Sequence, residues 1–173
     1  MSSEIKDTVN KVTDAIGGTI GKMGASVTSS ADGFVEQAAI GDMYEIEAGR
    51  LAMQRSRHDK VRAMARKMIV DHTTSSHHLM AALEMNETRG VAPPAMKLDT
   101  RRETMLKHLA EASDDEFDRT YLDQQVLAHE ETTSLMRSYT EKGDNPQLRS
   151  LALSTLPVVE RHLAHMTELR AAL

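Results

Sequence analysis

Eight His and twelve Met stand out in this 173-residue chain, which has no Cys. Imidazole and carboxylate can ligate a metal or trade protons, and the first question is which of them face inward. His72 sits in "MARKMIVDHTTSSHHLMAAL", where helical spacing calls for an apolar residue. On a 100° helical wheel, apolar side chains mark one arc of each helix and the polar exceptions stand out against it. Glu45 falls inside the arc of Phe34, Ala38, Ala52 and Met53, and Asp42 lies there too. His72 falls at the centre of the arc of Val61, Ala65, Met68, Leu79 and Leu83, with Asp71 at its edge. In the third long helix Gln125 and Thr132 lie within the arc and His129 toward one side. In the fourth, His162 lies inside, with Thr155 two turns earlier. Each long helix thus offers one inward ligand: Glu45, His72, His129 and His162.

A buried carboxylate costs several kcal/mol unless it is paired, hydrogen-bonded or metal-bound. Neutral imidazole suits zinc, copper, iron and nickel, and a carboxylate completes such a site. The expected site is therefore one transition metal, zinc or iron ahead of copper, held by Glu45, His72, His129 and His162. Asp71 and Gln125 are expected to orient imidazoles from behind. Copper(I) stays open because Met64, Met68 and His72 step by four along one face, although gap-filling core is the ordinary role of such Met residues. The alternative for the same residues is a hydrogen-bonded core network in an interaction or stress scaffold. A di-iron oxidase centre needs Glu-x-x-His on two helices; the chain has none, and "HEETT" lacks the second His of a zinc-protease helix. His58, His77, His78 and His108 are expected in solvent. Nucleophilic catalysis has no Cys and no Gly-x-Ser-x-Gly to rest on, and "GGTIGKMG" is not a phosphate loop. An oxidase or peroxide-handling reaction on the metal would need an open coordination position.

The elements that must position these residues are all helical. Expected spans are 32–57, 59–89, a short amphipathic helix at 100–112, a helix from the Ser113 cap to 142, and a last helix capped by Asn145 with Pro146 at its first position. Thr100 and Glu103 have capping-box spacing. Pro93-Pro94 forces a loop, and no β-hairpin signal occurs. The pattern is an all-α, ferritin-like four-helix bundle over residues 31–173, with a long crossover between its second and third helices.

Residues 1–30 form a Gly-rich amphipathic segment. Ile5, Val9, Val12, Ile16, Ile20 and Met23 recur at helical spacing, while Gly17, Gly18, Gly21 and Gly24 weaken the helix. It reads as a frayed tail or as a segment that orders on a partner, a membrane surface or a second copy of the chain. Glu4, Asp7, Lys11 and Asp14 interrupt every apolar run there, so neither a secretory signal nor a transmembrane span is expected, and the expected location is cytoplasmic. A net charge of -5 with three Tyr, two Phe and no Trp argues against nucleic-acid binding.

The stretches "FVEQAAIGDMYEIEAGRLA", "MARKMIVDHTTSS", "FDRTYLDQQVLAHEETTSLM" and "LRSLALSTLPVVERHLAHMTEL" together resemble a large bacterial family of unknown function. Its members are often labelled predicted outer membrane proteins and have a ferritin-like four-helix fold. The resemblance spans about Phe34 to Leu173 and rests on Asp-His-Thr, Gln-Val-x-Ala-His and Thr-Leu-Pro before His. It implies Glu45, Asp71, His72, Gln125, His129 and His162 as the motif polar residues. Many members begin with a secretory or lipoprotein signal; the Gly-rich segment stands there in this chain, so the membrane label is not carried over. The resemblance supports the fold; the function expected from the four inward residues is that of a metal-binding bundle in metal homeostasis or stress protection.

Overall fold

The structure is a computed structural model that describes residues 3–173. Its helices are α1 (Ser3–Ala25), α2 (Ala31–Arg55), α3 (Asp59–Leu83), α4 (Thr100–Glu111), α5 (Phe117–Lys142) and α6 (Pro146–Ala171), with a 3₁₀ turn at Asn86–Thr88. No strand occurs among the described residues. The fold is an all-α bundle, and none of these helices is long and apolar enough to cross a membrane.

The four long helices pack around a square in the order α2, α3, α6, α5. α3 and α5 are diagonal, and the end of α3 (Leu79, Ala82) clusters with Phe34 whereas the start of α5 (Phe117) clusters with Ala52 and Val61 at the other end, so residues 84–116 run the length of the bundle, with α4 in that crossover against α2 and α5. The expected crossover follows from this order, since a simple up-down chain would place α3 beside α5. Gly49 lets α2 approach α3 closely: a Cβ there would lie 2.8 Å from Cγ1 of Ile69 and 3.1 Å from the carbonyl of Ala65.

Two helix boundaries and one cap differ from the sequence expectation, each because of a side-chain hydrogen bond. α3 stops at Leu83 rather than near residue 89, as the Thr88 hydroxyl donates to the carbonyls of Ala82 (2.7 Å) and Met85 (2.9 Å). The Ala82 carbonyl is one of those in the last turn that lack a partner further along the helix. α4 is capped by Asp99, whose Oδ1 accepts from the Arg102 N–H at 2.6 Å, one residue before the expected Thr100. α5 begins at Phe117 because the Ser113 hydroxyl donates to Asp7 of α1 (2.9 Å) instead of capping its own helix. Asn145 caps α6 as expected, accepting from the Leu148 N–H at 3.1 Å, with Pro146 following.

The apolar core falls into two clusters. One gathers Tyr44, Val61, Met68, Phe117, Leu122 and Met166. The other gathers Phe34, Leu79, Leu135, Tyr139 and Leu148, with Phe34 and Tyr139 stacked at 4.1 Å. On each of these four helices a buried polar residue lies between the stretches that feed the two clusters: Asp42, with Glu45 one turn on, and His72, His129 and His162. The core is thus interrupted by one polar layer.

α1 lies along α5 and touches α4, so this segment is an ordered helix. Gly18 makes the approach possible, since a Cβ there would stand 2.9 Å from Leu127. The buried side of α1 is polar. Asp14 accepts from Nδ1 of His108 (2.7 Å) and from Nε2 of Gln124 (2.7 Å). His108, expected in solvent, is therefore mostly buried against Asp14, whereas His77 and His78 are exposed as expected.

Candidate metal centre

His72, His129 and His162 meet in the polar layer. One ring nitrogen of each lies within 4.8 Å of the others, and all three residues are buried. The ring centroids are 5.5 to 6.0 Å apart. Three different helices deliver them, so the triad exists only once α3, α5 and α6 are packed.

Each imidazole is held from behind by an acceptor on its other nitrogen. Nδ1 of His72 bonds Oδ1 of Asp42 at 2.8 Å, and Asp42 also accepts from the Ser76 hydroxyl at 3.3 Å. Nδ1 of His129 bonds the main-chain carbonyl of Gln125 at 2.9 Å. Nε2 of His162 bonds Oδ2 of Asp71 at 2.8 Å, and Lys67 holds that same carboxylate at 2.6 Å. An acceptor requires the proton on the nitrogen it faces, which leaves the opposite nitrogen of a neutral ring as a free lone pair. Those nitrogens, Nε2 of His72, Nε2 of His129 and Nδ1 of His162, are buried and without partners. Metal-ligating histidines have this arrangement: one nitrogen tethered to an acceptor, the other presented to the ion.

The electrostatics keep two of the rings neutral. Burial pushes His129 down to about 3, and the neighbouring His72 adds to the shift against the pull of the Gln125 carbonyl. Burial and His129 push His162 down to about 4, opposed by its bond to Asp71. Burial also acts to lower His72, but the bond to Asp42 and the charges of Glu45, Asp42 and Asp71 outweigh it, and its affinity for a proton is raised. Neutral His129 and His162 present lone pairs with no proton to displace at neutral pH.

Glu45 is buried but stands outside the triad of nitrogens. Its Oε1 is 3.5 Å from Nδ1 of His129, the nitrogen turned toward Gln125. Neither of its oxygens has a hydrogen-bond partner. Burial raises its pKa, tempered by His72 and by the Gln125 amide, which lies close without a well-formed hydrogen bond. The hydroxyl of Tyr121 and both side-chain polar atoms of Gln125 are likewise buried and unpaired. Buried polar atoms are normally satisfied, and Glu45, Tyr121 and Gln125 depart from that rule together.

The structure thus brings together three of the four residues expected as ligands and sets Glu45 beside them. Gln125 orients His129 through its main chain rather than its amide. Asp71 orients His162 rather than its sequence neighbour His72, because adjacent residues on a helix diverge by about 100°. The residue sequence reasoning did not assign to the site is Asp42. Its signal was its place on the inward arc of α2, three residues before Glu45 and on the same face. A cavity of about 40 Å³ adjoins the triad, lined by Asp42, Asp71, His72, Thr132, Thr155 and His162 among others. It has room for one or two water-sized ligands.

Residues 21–169 match the family described as a domain of unknown function, DUF4142. The chain belongs to this family. The DUF4142 match agrees with the resemblance to a family of unknown function. No curated protein matches the chain. Among solved structures it is similar to CopM in the Cu(I)-bound form, with a TM-score of 0.67 and 17% identity over 84% of this chain and 98% of that one. The Cu(II)-bound form of CopM gives a TM-score of 0.69 at 19% identity over the same shares. A DUF305 fragment from Deinococcus radiodurans gives 0.71 at 14% identity, over 85% of this chain and 99% of the fragment. At these identities the likeness is one of fold, and it accounts for the bundle of this DUF4142 protein.

Proposed function

We propose that this DUF4142 protein binds one transition-metal ion between α3, α5 and α6, with copper as the preferred ion and a role in metal homeostasis or stress protection. The observation that carries the reading is the convergence of three tethered imidazoles whose free nitrogens lie within 4.8 Å of one another. For bonds of about 2.0–2.1 Å around one ion the nitrogens must close to roughly 3.5 Å, so binding draws the three rings together. His72, His129 and His162 are the ligands. Asp42, Asp71 and the Gln125 carbonyl fix the rings and raise their basicity. Glu45 supplies negative charge beside the ion and stands in reserve as a further ligand.

Copper moves ahead of zinc and iron for two reasons. A given set of nitrogen ligands holds divalent copper more tightly than divalent iron or zinc. The fold is also shared with CopM, whose two structures carry Cu(I) and Cu(II). Zinc remains compatible with three imidazoles and a water in the adjoining cavity. The test is elemental analysis of untagged protein after separate loading with copper, zinc and iron, alongside His72→Ala. The proposal predicts about one copper per chain in the wild type and a sharp drop in the variant. No stoichiometric metal under any loading would overturn it.

A further inference from the structure

α1 is an amphipathic helix with its apolar face turned outward. Ile5, Val9, Val12, Ile16, Ile20 and Met23 are each 51 to 67% exposed. Their spacing of four, three, four, four and three residues keeps them in one stripe along a nearly straight helix. Val27, just beyond the helix, continues it. The opposite face is anchored. Asp7 and Asp14 are buried on Ser113, His108 and Gln124. Rotating α1 to bury the stripe on its own bundle would strand both carboxylates, so its cover must come from outside the chain.

We propose that the stripe is the interface with a second copy of this chain, the two α1 helices packing face to face about a two-fold axis. Area supports this occupant. The exposed stripe amounts to on the order of 700 Å² per copy, close to the about 800 Å² per partner of a standard interface and above what a monomer commonly leaves bare. Charge supports it as well. A helix lying on a membrane surface carries a Lys- and Arg-rich polar face free for anionic headgroups. Here Lys6 pairs with Glu111, Lys11 with Glu116 and Lys22 with Glu130, all on the bundle. The flanks of the stripe are Thr8, Thr13, Thr19 and Gly24, small and uncharged. Nothing lies within 4 Å of the Cβ position of Gly24, which leaves its backbone open to close approach. A neutral, β-branched stripe with small flanks is complementary to itself. The family match begins at residue 21, so most of the stripe lies ahead of the shared domain. The interface is separate from the triad and does not depend on metal.

The test is the mass of the full-length protein in solution by sedimentation equilibrium across roughly 1–100 μM, the range in which many specific interfaces form. The wild type is expected at twice the chain mass. The double variant Ile16→Glu, Ile20→Glu is expected at the mass of one chain, with unchanged helical circular dichroism because both positions face solvent in the single chain. The chain has no Cys, so Ile16→Cys gives a clean second test. Mild oxidation should link it into a covalent dimer, while a control at exposed Lys107→Cys should not link. A single-chain mass for the wild type throughout the range would overturn the proposal. So would a dimer that persists in the double variant, or a monomer that binds phosphatidylcholine vesicles through the stripe.

Discussion

At the scale of single residues the account rests on which nitrogen of each imidazole is tethered. Asp42 and Asp71 do this for His72 and His162, and loss of such a partner typically costs 10–100-fold in metal affinity. Asp42→Asn and Asp71→Asn should each weaken copper affinity by about that factor while leaving one ion per chain, as measured by competition with a chromophoric chelator. An unchanged affinity would mean that these carboxylates do not orient ligands. Acid should also act on the metal-free protein through these rings. In the unfolded chain His takes up a proton near 6.5, whereas folded His129 and His162 resist down to about 3 and 4. Between those values the unfolded state binds more protons, so stability falls as pH drops from about 6.5 toward 4. The loss should be on the order of a few kcal/mol, reduced by the opposite shift of His72. Urea melts of metal-free protein at stepped pH measure this, and His129→Gln should flatten the dependence. The inward polar set was legible in the sequence because each of its members breaks an apolar arc. The pairing among them was not, because a helical wheel gives the direction of a side chain but not its height against the neighbouring helix. Asp71 was thus expected to orient an imidazole, but only the packed helices show that the imidazole is that of His162 on α6.

At the scale of elements, tertiary hydrogen bonds decide where helices begin and end. Asn145 and Pro146 were readable because that cap is local. Ser113 was not, because Asp7, more than a hundred residues away, takes its hydroxyl. Asn145→Ala removes a cap that accepts from Leu148 and should cost about 1 kcal/mol. For a chain of this size that is a fall in melting temperature of roughly 2–4 °C. Gly49→Val places a side chain against Ile69 and the Ala65 carbonyl and should cost about 1–3 kcal/mol. It should also lower copper affinity, since α2 carries Asp42 and α3 carries His72. Affinity unaffected by a destabilising Gly49→Val would separate the α2–α3 contact from the site.

At the scale of the whole molecule, two apolar clusters clamp a polar layer, and the layer is assembled only when four helices meet. The crossover was legible from the long loop around Pro93-Pro94, and the bundle from the helical periodicity. The outward stripe of α1 was not, because periodicity identifies an apolar face without saying which face the fold buries. There the paired carboxylates Asp7 and Asp14 decided the orientation. Since the proposed metal site forms only in the folded state, an ion present at 100 times its dissociation constant should add about 2.7 kcal/mol. That corresponds to a rise in melting temperature of roughly 5–10 °C, reversed by a chelator. The most direct test of the central claim is the X-ray absorption spectrum of copper-loaded protein. The account predicts a copper ion with three imidazole nitrogens from His72, His129 and His162, one of which is lost in His129→Ala. A shell dominated by methionine sulfur, or a spectrum unchanged by His129→Ala, would contradict it.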